Sequence, residues 1–133
     1  MSDLLKFSIP GKPEYVQMVR LAIGSIAGKA QFDIDAVEDI KVAVAEACKN
    51  IFCHGHEQFR SRYEIICEID GARLRIDVAE ACDGPDLVKH SKPCDQCPDE
   101  GELAVAVIEA LMDTVTISTN QDGNRQISMV KSR

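Results

Sequence analysis

Residues 37–50 read VEDIKVAVAEACKN. Val37, Ile40, Val44 and Ala47, continued by Ile51, recur at the spacing of one face of an α-helix. Asp35 just ahead is a good N-cap, and Glu38 completes a capping-box pattern. The stretch therefore predicts a helix over 36–54. Its other face carries Asp39, Glu46, Asn50 and His54, of which the last three are spaced four apart and share one side. That spacing permits a division of labour in which a carboxylate accepts a proton and an amide oxygen coordinates a hard cation such as Mg²⁺. An ordinary solvated helix face has the same spacing, so the pattern alone leaves both readings open.

On the N-terminal side, Leu5, Phe7 and Ile9 alternate with Lys6 and Ser8, which predicts a short half-buried strand ended by Pro10-Gly11. Pro13 suits a first helical turn, and Val16, Val19, Ile23 and Ile26 continue at helical spacing towards Gly28, giving a helix over about 13–28. On the C-terminal side the period changes to two. Tyr63, Ile65, Cys67 and Ile69, then Leu74, Ile76 and Val78, flank Asp70-Gly71, a hairpin signal. Residues 80–100 lose periodicity and hold Gly84, Pro85, Pro93 and Pro98, as a functional loop or lid would. Leu103, Val107, Ala110 and Leu111 predict a third helix over about 101–112. Val115 and Ile117, a turn at Asp122-Gly123-Asn124, then Ile127 and Met129 predict two closing strands. The order β-α-α-β-β-α-β-β predicts an α+β two-layer sandwich, a mostly antiparallel mixed sheet with helices on one face. The 133 residues suit one domain, 1–133.

Composition narrows the class. Hydrophobic residues at 45% exclude a disordered chain, and no apolar run approaches the roughly 20 residues of a membrane span. The N-terminus lacks the basic flank and apolar stretch of a signal peptide, so a cytoplasmic protein is expected. Fifteen basic against 22 acidic residues give a net charge of −7, which disfavours nucleic acid as a partner. Of the six cysteines, Cys48 and Cys67 fit core positions, where cysteine packs as a small hydrophobe. Cys94 and Cys97 form the one CxxC pair, within the loop. They read as half of a zinc site that His54, His56 and His90 would complete, as a redox pair, or as free thiols.

KPEYVQMVRL at 12–21, VEDIKVAVAEACKN at 37–50 and ALMDTV at 110–115 resemble the bacterial anti-sigma-factor serine kinases, in particular the switch kinases of the general stress response. Their fold is that of the ATPase superfamily shared by gyrase, MutL, the large heat-shock chaperones and sensor histidine kinases. The resemblance implies phosphoryl transfer from ATP, with Mg²⁺, to a Ser or Thr of an anti-anti-sigma protein, together with sequestration of a sigma factor. Kinases of this family are commonly dimers, so a homodimer is a further expectation. By the same resemblance Glu46 positions or activates the attacking hydroxyl, and Asn50 binds Mg²⁺ between the phosphates, with His54 beside them. Arg20, off the apolar stripe of the first helix, falls in the region that contacts partners.

The glycine motifs depart from the family pattern. The adenine loop has an Asp, a spacer and a Gly; VAEACDGPDL at 78–87 has Glu80 for the Asp and Cys82 for the Gly, followed by Gly84. The phosphate loop, Glu-Gly-Gly-Leu-Gly-Leu in the family, is Glu100-Gly101-Glu102-Leu103-Ala104-Val105 here. Gly101, Leu103 and Ala104 keep its position at a helix start, whereas Glu102 brings a carboxylate towards a polyphosphate. Two alternatives to the kinase therefore stand: a nucleotide-independent protein-binding regulator, and the same fold carrying a metal or thiol sensor at Cys94 and Cys97.

Overall fold

The computed structural model describes residues 2–54, 61–82, 100–119 and 125–133. Strand β1 (Asp3–Pro10) leads through a short helical turn at Pro13–Tyr15 into helix α1 (Val16–Lys29) and then α2 (Ile34–His54). Strands β2 (Ser61–Asp70) and β3 (Arg73–Cys82), helix α3 (Glu100–Leu111), and strands β4 (Thr114–Thr119) and β5 (Arg125–Ser132) follow. The five strands form one sheet in the order β1-β2-β3-β5-β4, and each neighbouring pair is antiparallel. The expected α+β class and element order hold, and the sheet is antiparallel throughout the described strands.

Helix α2 starts two residues earlier than its sequence suggests. Asp33, not Asp35, is the cap: its Oδ1 accepts a hydrogen bond from the Ala36 amide at 2.8 Å, and its carbonyl accepts one from the Val37 amide at 2.9 Å. Helix α1 runs through Gly28 and stops at Lys29, with Gln31 in the left-handed region at φ 68°. The Gln31 amide donates to the Gly28 carbonyl and the Phe32 amide to the Ala27 carbonyl, which closes the helix end and turns Phe32 into the core. The β2–β3 hairpin turns on Gly71-Ala72, closed by the Asp70–Arg73 pair, and Gly71 takes the positive φ of 61° that a tight two-residue turn needs at its first position.

Alternation on the strands then builds the core. Ile65, Cys67, Leu74, Ile76, Val78, Ile127 and Met129 are fully buried on one side of the sheet, against Ile40, Val44, Ala47, Cys48 and Ile51 of α2. Helix α2 is the centre of the helical layer, touching α1, α3, β3 and β5. The opposite side of the sheet is charged: Lys6 pairs with Glu64 at 2.7 Å, and Arg75 approaches Asp77 at 3.6 Å. On α3 the buried stripe is centred on Ile108, with Met112 buried just past the helix end, while Ala110, expected inside, is exposed. The C-terminal strand clasps this helix. The Lys131 ammonium donates to the Leu111 carbonyl, and Asp113 accepts the Ser132 amide at 2.7 Å.

Candidate functional site

The site is built from α2, the end of β3 and the start of α3. On α2, Glu46 and Asn50 stand one helical turn apart, as their spacing predicts. They differ sharply in environment. The Glu46 side chain is 28% exposed and lies 3.6 Å from the Lys49 ammonium. Asn50 is 3% exposed, so its amide is not part of a solvated helix face. An amide in that position needs polar neighbours, and Asn50 does engage neighbouring groups. His54 closes the helix, and its side chain lies outside the described residues.

Glu80 is not on a loop. Strand β3 continues to Cys82, and Glu80 takes the next inward position after Leu74, Ile76 and Val78. It is 4% exposed, and with Asn50 it makes up the buried polar set among the described residues. Like Asn50, it interacts with neighbouring groups. The register places Tyr63 of β2 directly opposite it. Tyr63 is 1% exposed, and its hydroxyl oxygen is buried with no hydrogen-bond partner among the described residues. Burial first, then the Cys48 thiol and the Glu80 carboxyl, push the Tyr63 hydroxyl above the usual tyrosine pKa. In the sequence Tyr63 is one apolar position in the strand alternation; that its polar side chain stands across the pair from Glu80 becomes visible only once the register is known.

Gly101 falls in the first turn of α3, where backbone N–H groups have no helical partner, and Leu103 and Ala104 follow it into the helix. Their side chains, and that of Glu102, lie outside the described residues, as do Gly84 and the Cys94–Cys97 pair. Among the described residues, no group of three or more His, Cys, Asp or Glu could hold a metal ion. Cys48 and Cys67 are buried, as expected, and burial pushes each thiol up to about 12. Arg20 is half-buried rather than fully solvated, and its Nε is enclosed with no hydrogen-bond partner among the described residues. Chemically, the arrangement offers a carboxylate with access to solvent, a buried amide one turn away, a buried carboxylate at the sheet end, and the first turn of a helix.

Comparison with known proteins gives the family and the fold. A model of the histidine kinase-like ATPase domain matches residues 9–131. The serine-protein kinase RsbW of Bacillus velezensis is 32% identical over 130 residues, spanning 89% of this chain and 79% of that protein. RsbW of Bacillus subtilis is 30% identical over 131 residues, spanning 90% and 80%. Among solved structures, the RsbU and RsbW domains of Rv1364c from Mycobacterium tuberculosis align with a TM-score of 0.66 at 15% identity. That alignment covers 98% of this chain and 32% of the longer one, and it speaks to the fold. The chain belongs to the histidine kinase-like ATPase domain family, among the RsbW serine-protein kinases.

Proposed function

We propose that this protein is an ATP-dependent anti-sigma factor that sequesters a sigma factor and phosphorylates a Ser or Thr of its anti-anti-sigma antagonist. The observation that carries the reading is the Glu46–Asn50 pair: a half-exposed carboxylate and a buried amide, one turn apart, in a chain whose relatives are named serine-protein kinases. The donor chemistry fits a magnesium nucleotide, since an amide oxygen and a carboxylate are ligands and partners suited to a hard cation. Bound Mg·ATP would supply the phosphoryl group and the metal's neutralisation of its developing charge.

The chain's own residues do the rest. Glu46 faces solvent enough to meet a substrate hydroxyl, and as a carboxylate it orients that hydroxyl and accepts its proton. Asn50 holds a ligand oxygen in a position fixed by burial. Glu80 accepts a hydrogen bond from the exocyclic amine of adenine, and the first turns of α3, with Gly101, Leu103 and Ala104, offer N–H donors to phosphate oxygens. Arg20 lies on α1, where a half-buried guanidinium can anchor a partner protein. We read residues 1–133 as one such domain acting in the cytoplasm; among the described residues, no helix is long and apolar enough to cross a membrane.

The experiment is transfer of labelled phosphate from Mg·ATP to a cognate antagonist, run beside capture of the sigma factor. Transfer that Glu46→Gln lowers by about 10²-fold or more is the expected result; sigma binding without any transfer removes the kinase half. The second reading, a regulator that binds proteins without nucleotide, is favoured by Glu80, Cys82, Glu102 and Ala104 at family motif positions. Calorimetry with Mg·ATP decides between them, because micromolar affinity excludes the second.

A further inference from the structure

The base end of the site contains a polar atom that the reaction described above does not use. Tyr63 and Glu80 are direct partners across the antiparallel β2–β3 pair, and both point into the helical layer. Opposed residues in such a pair have Cβ atoms about 5 Å apart, so the phenol runs beside the carboxylate side chain. Its hydroxyl is buried and without a hydrogen-bond partner among the described residues. Phenylalanine would fill the same volume without enclosing an orphan donor, so packing alone gives no reason for the oxygen. The raised pKa, caused by burial, Cys48 and Glu80, keeps this hydroxyl protonated and able to donate.

Glu80 supplies the reason. It stands where the resembling kinases have Asp, and its extra methylene adds one rotatable bond between backbone and carboxylate. A carboxylate that reads an exocyclic amine must hold one oxygen towards it, and a longer side chain holds that direction less well unless a second group fixes it. The Tyr63 hydroxyl, on the residue directly across the strand pair and without an acceptor of its own among the described residues, is a donor that a side-chain shift on nucleotide binding would bring to that carboxylate.

We propose that Tyr63 is a positioning residue for adenine recognition: when nucleotide is bound, its hydroxyl donates to the Glu80 carboxylate and fixes the orientation in which that carboxylate accepts the adenine amine. The inference rests on the ATP-binding reading and adds to it a specificity-determining pair, Tyr63 with Glu80, in place of a lone Asp.

The test is calorimetric titration of the full chain with Mg·ATP and with Mg·ITP, whose base carries an oxygen where adenine has the amine. Wild type is expected to prefer ATP. Tyr63→Phe is expected to lower ATP affinity about tenfold, the scale of one charge-assisted hydrogen bond, and to leave ITP affinity unchanged. Its melting temperature should hold or rise. In a Glu80→Asp background, where the shorter side chain needs no second anchor, Tyr63→Phe should be silent. An unchanged ATP-to-ITP ratio in Tyr63→Phe, or equal loss of both nucleotides, overturns the proposal while leaving ATP binding intact. Wild type that binds no Mg·ATP overturns the ATP reading itself, and this inference with it. A further readout keeps the test alive if Tyr63→Phe does not fold. The chain has two tyrosines and no tryptophan, so in Tyr15→Phe protein the near-ultraviolet tyrosine band reports Tyr63 alone. Saturating ATP should shift that band and ITP should not; an unmoved band under ATP overturns the proposal.

Discussion

Glu46 and Asn50 occupy one face of α2 one turn apart, yet Glu46 reaches towards solvent beside Lys49 while Asn50 is enclosed. The two residues should therefore fail differently. Glu46→Gln removes a proton acceptor but little structure, because its exposed ion pair with Lys49 is worth about 0–1 kcal/mol. Phosphoryl transfer should fall by about 10²-fold or more, with Mg·ATP affinity nearly unchanged. Asn50→Ala removes a buried amide, and should weaken Mg·ATP binding as well as lower the rate. Single-turnover transfer and calorimetry on both variants check the split; equal losses of affinity would contradict it.

Gln31 ends α1 in the left-handed region at φ 68°, where a residue with a Cβ is strained by about 1–2 kcal/mol. Glycine relieves that strain but gains freedom in the unfolded chain, which returns about 0.4–1 kcal/mol. The difference favours Gln31→Gly by roughly 0.5–1 kcal/mol. Its thermal midpoint should rise by about 2–6 °C. Differential scanning calorimetry reads this directly, and a lowered midpoint would show that the Gln31 side chain contributes something its exposed position does not suggest.

Much of this fold was legible because periodicity is a local property. The α2 stripe from Ile40 to Ile51 and the alternation of Ile65 and Cys67 against Leu74, Ile76 and Val78 correspond to the observed core. What failed to show was set by neighbours. Asp33 and Asp35 are equally good caps in sequence, and only the helix start chooses between them. Ile108 outranks Ala110 because α2 packs against the side of α3 that carries the larger group. Glu80 reads as a loop residue because a carboxylate breaks an apolar alternation, although the strand continues through it. The candidate site follows the same division: spacing within one helix puts Glu46 and Asn50 on one side, and only the family resemblance gives them roles, whereas the Tyr63–Glu80 pair depends on a register between two strands.

Lys131 joins the last strand to the end of α3 by donating to the Leu111 carbonyl from a partly buried position. A cation there also offsets the negative end of the helix. Lys131→Met keeps the length and apolar stem but removes the donor, and should destabilise the protein by about 1–2 kcal/mol. Urea unfolding should show a lower midpoint with an unchanged slope. Lys131→Arg should recover part of the loss, since it restores the charge with a different donor geometry; no recovery would assign the effect to the hydrogen bond's geometry and not to the charge.

The buried thiols predict how stability depends on pH. Cys48 and Cys67 have ordinary values of 9.0 when unfolded and about 12 in the fold, raised mainly by burial and, for Cys67, also by Asp77. Between those values the folded chain keeps protons that the unfolded chain releases, so unfolding is favoured as pH rises. The contribution of these thiols is fully present below about pH 9 and is lost progressively towards pH 12. Urea midpoints measured from pH 7.5 to pH 10.5 should therefore fall, on the order of a kcal/mol per pH unit for each thiol. Replacing both by alanine should lower stability at neutral pH through lost packing, yet flatten the alkaline decline. At pH 8 the same two thiols should resist alkylation in the folded protein and react on unfolding, which mass spectrometry of modified peptides resolves residue by residue. Rapid labelling of Cys48 or Cys67 in the native state would contradict the enclosed core on which the site rests.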